Sequence, residues 1–343
     1  MNKYTTGIFA MLLNLLLANP ILYSQGEKIF WSEDFGSGKM PAGWKNVDME
    51  NRGCEWVVTD QPYPGSYLYQ QQAPPIASSS RGFHLQFQAG WITDEDAPRW
   101  IKKGWYPDAY LQTGPIDCSK HRAVVLKFEH SFRWQKENAA PGYGIFAGVS
   151  TDSLHWTDFS LLGEAPAATD MFVPRKEVIN ISAVAAGKPR VFIRFYWKGM
   201  EAWYWMVDDI SLSEPPDTDI SLSGLTSYTE SGNDFSKQEP FVVKIMNTGS
   251  TPIHKDFELH MFLDGKHESS QTIHAAQLPI APFTGVNVTF TAQDLTSSPS
   301  HRLLFTANLP GDENPSNDSL SLKITAGATE MGNADALVRH RAG

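Results

Sequence analysis

Residues 209–224 read DISLSEPPDTDISLSG, so the same five letters, DISLS, stand on either side of a Pro-Pro pair. Each copy alternates Ile and Leu with Ser, the period of two expected of a half-buried strand. A proline pair in the middle of a continuous sheet would remove two ladder donors, so Pro215-Pro216 reads as a break. The stretch is then a seam: the first DISLS ends one sheet, the second begins another, and the shared letters reflect shared physics and no duplication.

Composition changes at the same place. All eleven tryptophans lie between Trp31 and Trp205, as do both cysteines, whereas the part after Pro216 is rich in Ser, Thr and Asn. The chain, 343 residues long, is ample for two cores. The expected organisation is a signal peptide over 1–24, a first domain over 25–214, a linker over 215–219, a second domain over 220–326 and a disordered tail over 327–343. The tail, AGATEMGNADALVRHRAG, shows no strand pattern.

At the N-terminus, Lys3 precedes the apolar run IFAMLLNLLL and small Ser24 stands at a plausible cut. The run is about half the ~20 apolar residues a membrane span needs. The alternative is a buried N-terminal helix. Export is the expected fate, secreted or at the cell surface, with no membrane insertion and, lacking a cysteine at the cut, no lipid anchor. Cleavage would remove Lys3 and no acid, leaving 27 basic against 38 acidic residues. With no basic stripe, nucleic acid is not an expected partner.

The remaining signals are β throughout. HRAVVLKFEHSFRW (121–134), RVFIRFYWKG (190–199), FVVKIMNTG (241–249) and GVNVTFTAQD (285–294) are rich in β-branched and aromatic residues, and turn signals such as Asp264-Gly265 separate such runs. KEVINISAVAAG (176–187) predicts one helical turn at most. The fold expected is all-β: an N-terminal jelly-roll β-sandwich and a C-terminal immunoglobulin-like β-sandwich.

The first domain opens with FWSEDFGSGKMPAGWKNVDMENRGCEW (30–56) and closes with WYWMVDDISL (203–212), with YLQTGPIDCS (110–119) and FAGVSTDSLHWTDF (146–159) between. In that order these pieces resemble the cleaved-adhesin family, a MAM-like jelly roll of secreted bacterial proteins. The resemblance implies structural calcium, with Glu33 and Asp209 as the positions carried over and Asp48 as a weaker third. First and last strands of a jelly roll can pair, and like charges held close need a cation or protons. The alternative is that these acids only cap strands and bond to the backbone. The second domain, with FVVKIMNTGSTPI, MFLDGK and NLPGDENPSNDSLSLKI, resembles the adhesion-related immunoglobulin-like family called CARDB, which implies a spacer or adhesive module.

GWITDEDAPRWIKKGWYPDAY (90–110) is an unusual connection. Trp91, Trp100, Trp105 and Tyr106, with Tyr110 beyond, are candidates for stacking on sugar rings or peptide side chains, with Asp94, Asp96 and Asp108 as polar partners. The alternative is a loop that packs its own aromatics as a cover. STDSLHW (150–156) resembles an Asp-box with Leu154 in place of glycine; a single copy predicts a hairpin device in which Asp152 bonds backbone amides and Trp156 plugs the strand end. His254, His260, His267 and His274 are spaced too widely for a metal-binding motif and are expected on exposed strand faces. Export permits a disulfide between Cys54 and Cys118, closing a loop of about 65 residues worth roughly 4 kcal/mol; two unbridged thiols are the alternative.

No nucleophile elbow, protease signature or phosphate loop is present. The function expected is a secreted, non-enzymatic, adhesin-like binding protein whose partner is a glycan or an extracellular or surface protein. The alternatives are a jelly-roll glycoside hydrolase, with two carboxylates facing across a cleft, and an accessory module of a larger surface protein.

Overall fold

The computed structural model describes residues 27–51, 53–63, 73–88, 107–135, 142–162, 168–170, 174–199, 204–227, 235, 237–325, 328–330 and 338–341. The first part of the chain forms β1 (Lys28–Glu33), β2 (Lys45–Asp48), β3 (Glu55–Thr59), β4 (His84–Gln88), β5 (Asp108–Gln112), β6 (Val125–Gln135), β7 (Gly144–Ser150), β8 (Thr157–Ser160), β9 (Ala168–Asp170) and β10 (Arg175–Asn180). A single helical turn, α1 (Ser182–Ala185), follows, then β11 (Phe192–Lys198) and β12 (Tyr204–Glu214). The second part forms β13 (Ile220–Ser227), β14 (Glu239–Asn247), β15 (Phe257–Leu263), β16 (Lys266–Ile273), β17 (Gly285–Gln293), β18 (Ser300–Asn308), β19 (Ser319–Thr325), β20 (Ala328–Glu330) and β21 (Val338–Arg341).

The molecule is all-β, built as two sandwiches. In the first, a sheet ordered β10-β6-β12-β4-β3, with β1 on β12 and β9 on β6, faces a five-stranded sheet ordered β2-β5-β11-β7-β8. The second pairs a three-stranded sheet, β13-β14-β17, with the sheet β16-β15-β18-β19-β20. The first core takes up Trp56, Trp197 and Trp205, with Trp31 and Trp44 packed against it. Trp56, Phe87 and Trp205 from one sheet meet Phe195 and Trp197 from the other, with Trp56–Trp205 centroids 5.0 Å apart and Phe87–Trp197 rings stacked at 5.3 Å. Edge-to-face and offset pairs of this kind suit large rings buried without voids.

The first DISLS segment lies at the end of β12 and the second at the start of β13. Ile210 and Leu212 enter the first core, Ile220 and Leu222 the second. The connection between them is strapped down. Pro216 O accepts from Ser250 N at 2.9 Å, Asp217 O from Thr251 N at 3.1 Å, and Asp219 O from Thr248 N at 2.9 Å. A Cβ on Gly249 would stand 2.7 Å from Asp217 O, so only glycine permits this approach. Phe283, at φ +58°, projects from the second sandwich onto Val125 and Val178 of the first.

Two expectations need correction. Residues 327–343 are not uniformly without structure: β20 extends the sheet at β19, and β21 lies parallel to β10, Lys176 opposite Val338. Backbone donors and acceptors along exposed sheet edges accept a strand of almost any sequence, so the absent side-chain pattern gave no signal. Nor are Cys54 and Cys118 joined. Both are buried thiols. Cys54 N bonds Asp48, whose Cα partner is Ala109, opposite Trp197; Cys118 lies just past Ile116, which bridges Val191. Six residues of β11 separate those levels, ~20 Å at strand rise, whereas a disulfide needs Cα atoms within about 7 Å.

Candidate functional site

Two regions collect polar chemistry. The first is the outer face of the five-stranded sheet. Along β11 alternation sends Ile193, Phe195 and Trp197 into the core and turns Arg194, Tyr196 and Lys198 outward. The register sets Tyr110 and Phe146 on either side of Tyr196, and Gly148 beside Arg194. Arg194 spans that strand to Asp158, Nη2 to Oδ2 at 2.6 Å and Nε to Oδ1 at 3.1 Å. A Cβ at residue 148 would stand 2.7 Å from Arg194 Cγ, so glycine leaves the passage open. The guanidinium carbon lies 4.5 Å from the ring centres of both Trp156 and Tyr196 and 5.4 Å from that of Tyr110. Tyr196 donates to Asp108 Oδ1 at 2.8 Å, and its phenol is held well above the usual tyrosine range by burial first and by Asp108 second. Each of these rings is half-buried.

The hairpin at 150–156 behaves as its sequence predicts at Asp152, whose Oδ1 accepts from Leu154 N and His155 N, both at 2.8 Å. His155 and these amides hold its carboxyl below the usual range. Trp156 departs from expectation. It does not plug the strand end but lies over Arg194 on the open face, 6.4 Å from Tyr110. Trp91, Trp100, Trp105 and Tyr106, with Asp94 and Asp96, lie outside the described residues. Of that stretch, Asp108 and Tyr110 belong to the aromatic face. Reading by linear proximity missed Arg194, Tyr196 and Asp158; the signal was the outward phase of RFYWK, which brings Arg194 and Tyr196 to one side.

The second region is a cavity of about 850 Å³ between the sandwiches. Glu33 and Asp209 both line it, since Glu33 pairs with Ile210. A bulge between Asp208 and Ser211, with Asp209 at φ +50°, turns the adjacent acids to opposite sides. Asp208 points inward, fully buried, accepting from Ser78 Oγ at 2.5 Å and Ser80 Oγ at 3.2 Å. Burial foremost, and Asp209 beside it, push its pKa up to about 7. Ser79 N donates to Glu129 at 3.1 Å and Ser80 N to Asp209 at 3.0 Å. Three consecutive serines thus secure three acids, a role the sequence reading missed.

Of the residues carried over for calcium, Glu33 and Asp209 come together and Asp48 does not. Asp48 closes the turn after β2, accepting from Gly53 N at 2.7 Å and Cys54 N at 3.1 Å, because β2 belongs to the opposite sheet. Glu33 itself accepts from Phe35 N at 2.7 Å. Among the described residues no group of three or more acids, histidines or cysteines is close enough to hold a metal ion. His260 and His267 share Ser270 Oγ, and His274 meets Asp256 at 3.0 Å, all on strand faces or turns.

No family model and no curated protein matches the chain. Among solved structures, a cleaved adhesin domain of Lys-gingipain from Porphyromonas gingivalis is 16% identical, covering 54% of this chain and 97% of its own, with a TM-score of 0.33. A CARDB domain from Pyrococcus furiosus is 16% identical over 33% of this chain and 89% of its own, TM-score 0.25. An exo-beta-agarase is 9% identical over 56% of this chain and 25% of its own, TM-score 0.32. At these identities and TM-scores the likenesses carry no argument about this chain, whose ligand chemistry rests on its own residues. Among those described, no helix is long and apolar enough to cross a membrane.

Proposed function

We propose that this chain is an exported, non-catalytic, adhesin-like binding protein. Its first sandwich recognises a glycan or an extracellular protein, and its second presents that sandwich as a spacer. The observation that carries the reading is the half-exposed stack of Trp156, Arg194 and Tyr196 on an open sheet face. Flat rings with fixed polar neighbours suit the apolar face of a sugar or a partner's aromatic side chain. Trp91, Trp100, Trp105 and Tyr106 precede β5 in sequence and lie outside the described residues; they stay in the proposal as candidates on their sequence alone. A hydrolase would need a proton-bearing acid open to substrate; Asp208 holds its proton near neutrality, yet it is fully buried behind serines.

The test is binding of the full chain to immobilised glycans and extracellular matrix proteins, for wild type and Trp156→Ala. Loss of binding in the variant with an unchanged melting temperature supports the reading; equal binding overturns it. Competition by soluble saccharide assigns a glycan, and its failure a protein. Structural calcium at Glu33 and Asp209 is part of the same proposal, supported by both carboxylates lining one cavity. A melt with calcium and then chelator decides it: saturation at a hundred times Kd adds ~2.7 kcal/mol, and the rise should vanish in Glu33→Gln.

A further inference from the structure

The cavity between the sandwiches carries a charge that its own partners do not neutralise. Seven carboxylates line it against two lysines. Glu27 meets Lys127 at 2.6 Å, Glu129 meets Lys176 at 3.5 Å and Glu177 meets His130 at 3.4 Å. Glu33, Asp34, Asp209 and Asp219 have no ion-pair partner among the described residues. Glu33, Asp34 and Asp209 accept from the backbone amides of Phe35, Gly36 and Ser80, and Asp219 accepts from Asn317 Nδ2 at 3.1 Å. A concentration of like charge in a partly desolvated cleft favours a cationic occupant.

A second observation lies on the opposite wall. Ser221 is 7% exposed, and its Oγ has no hydrogen-bond partner. Alternation sends Ile220 and Leu222 into the core, so Ser221 faces the cavity that it lines. Asn317, whose amide nitrogen is committed to Asp219, leaves its Oδ1 buried and unpartnered on the same wall. Buried polar atoms are ordinarily satisfied, so two orphaned acceptors beside a carboxylate call for a donor. An alkylammonium has three N–H donors and no acceptor, and that wall offers three acceptors.

We propose that this cleft binds an extended aliphatic polycation, with one ammonium at Asp219, Ser221 and Asn317 and another at Glu33, Asp34 and Asp209. The space, about 850 Å³, has the size of a small-molecule site, more than a lone ion fills. The carboxylates come from both sandwiches, so an occupant with two charged ends would bridge them.

Calorimetric titration of the full chain tests this, with spermidine, with tri-lysine peptide and with calcium alone. Both amines carry the recognised group; tighter binding of spermidine assigns a free polyamine, and tighter binding of tri-lysine assigns lysine side chains. Either should weaken at least tenfold in Ser221→Ala and in Asp34→Asn, and weaken steeply with added salt. Ser221→Ala removes an atom with no partner, so its melting temperature should match wild type, and Asp34→Asn retains the oxygen that Gly36 N requires. Equal affinity in wild type and both variants overturns the proposal, as does binding of calcium with no binding of either amine.

Discussion

Arg194 and Asp158 meet across a strand that belongs to neither, through the space left by Gly148. The fork holds the guanidinium carbon 4.5 Å from the ring centres of both Trp156 and Tyr196, so one missing Cβ on β7 leaves room for the arginine that joins these rings. Planar, bidentate pairing is the reason arginine serves here; a lysine would supply charge without the fork or the stack.

Gly148→Ala should therefore disorder the face without emptying the core. The expected cost is ~1–3 kcal/mol from overpacking, read by chemical denaturation. Arg194→Lys should cost less stability and yet weaken ligand binding about tenfold, or ~1.4 kcal/mol. Binding that survives both changes would place recognition elsewhere.

Stability should fall as pH rises from 5 to 8. Asp318 is pushed up to about 8, Asp208 to about 7 and Asp219 to about 6, in each case foremost by burial and then by a neighbouring aspartate. Each holds its proton more tightly folded than unfolded, where its pKa is 3.8. The unfolded chain releases protons first, so these groups' contribution is complete below about pH 4 and is lost as pH climbs through 6 to 8. Asp318, with Oδ1 buried and unpartnered, is the group to change. Asp318→Asn should raise the melting temperature at pH 8 and flatten its pH dependence; an unaltered slope would exclude Asp318 as its source.

The thiols should be inaccessible and unlinked. Burial foremost, and Asp117 beside it, push Cys118 up to about 11, well above a reactive cysteine. Titration with a thiol reagent should find none in the native protein and two after denaturation without reductant. Reductant should leave the melting temperature unchanged. Failure to find two thiols in the denatured, unreduced chain would restore the bridge.

Phe283 should couple the two sandwiches. It is the second sandwich's contribution to a small cluster with Val125 and Val178. Phe283→Ala should leave each core intact and separate one calorimetric transition into two, with cleavage near Pro215-Pro216 hastened under limited proteolysis. Persistence of a single transition would assign the coupling to the backbone bonds from Pro216 to Asp219.

Much of this architecture is legible in linear order. Period-two alternation in DISLS, twice, and the Pro-Pro break fix where one core ends and the next begins, since alternation and missing donors are properties of adjacent residues. The Asp152 turn is readable for the same reason: all its bonds lie within three residues. The resemblance to cleaved-adhesin and CARDB domains was carried by motifs of this local kind. What sequence could not supply are distances between residues far apart in the chain. Cys54 and Cys118 lie at opposite levels of one sheet, and Asp48 lies on the sheet facing Glu33 and Asp209. Arg194 reaches Asp158 only because antiparallel registers bring positions 148, 158 and 194 into one row. Sequence determined which residues face inward; strand register alone decided which of the outward ones meet.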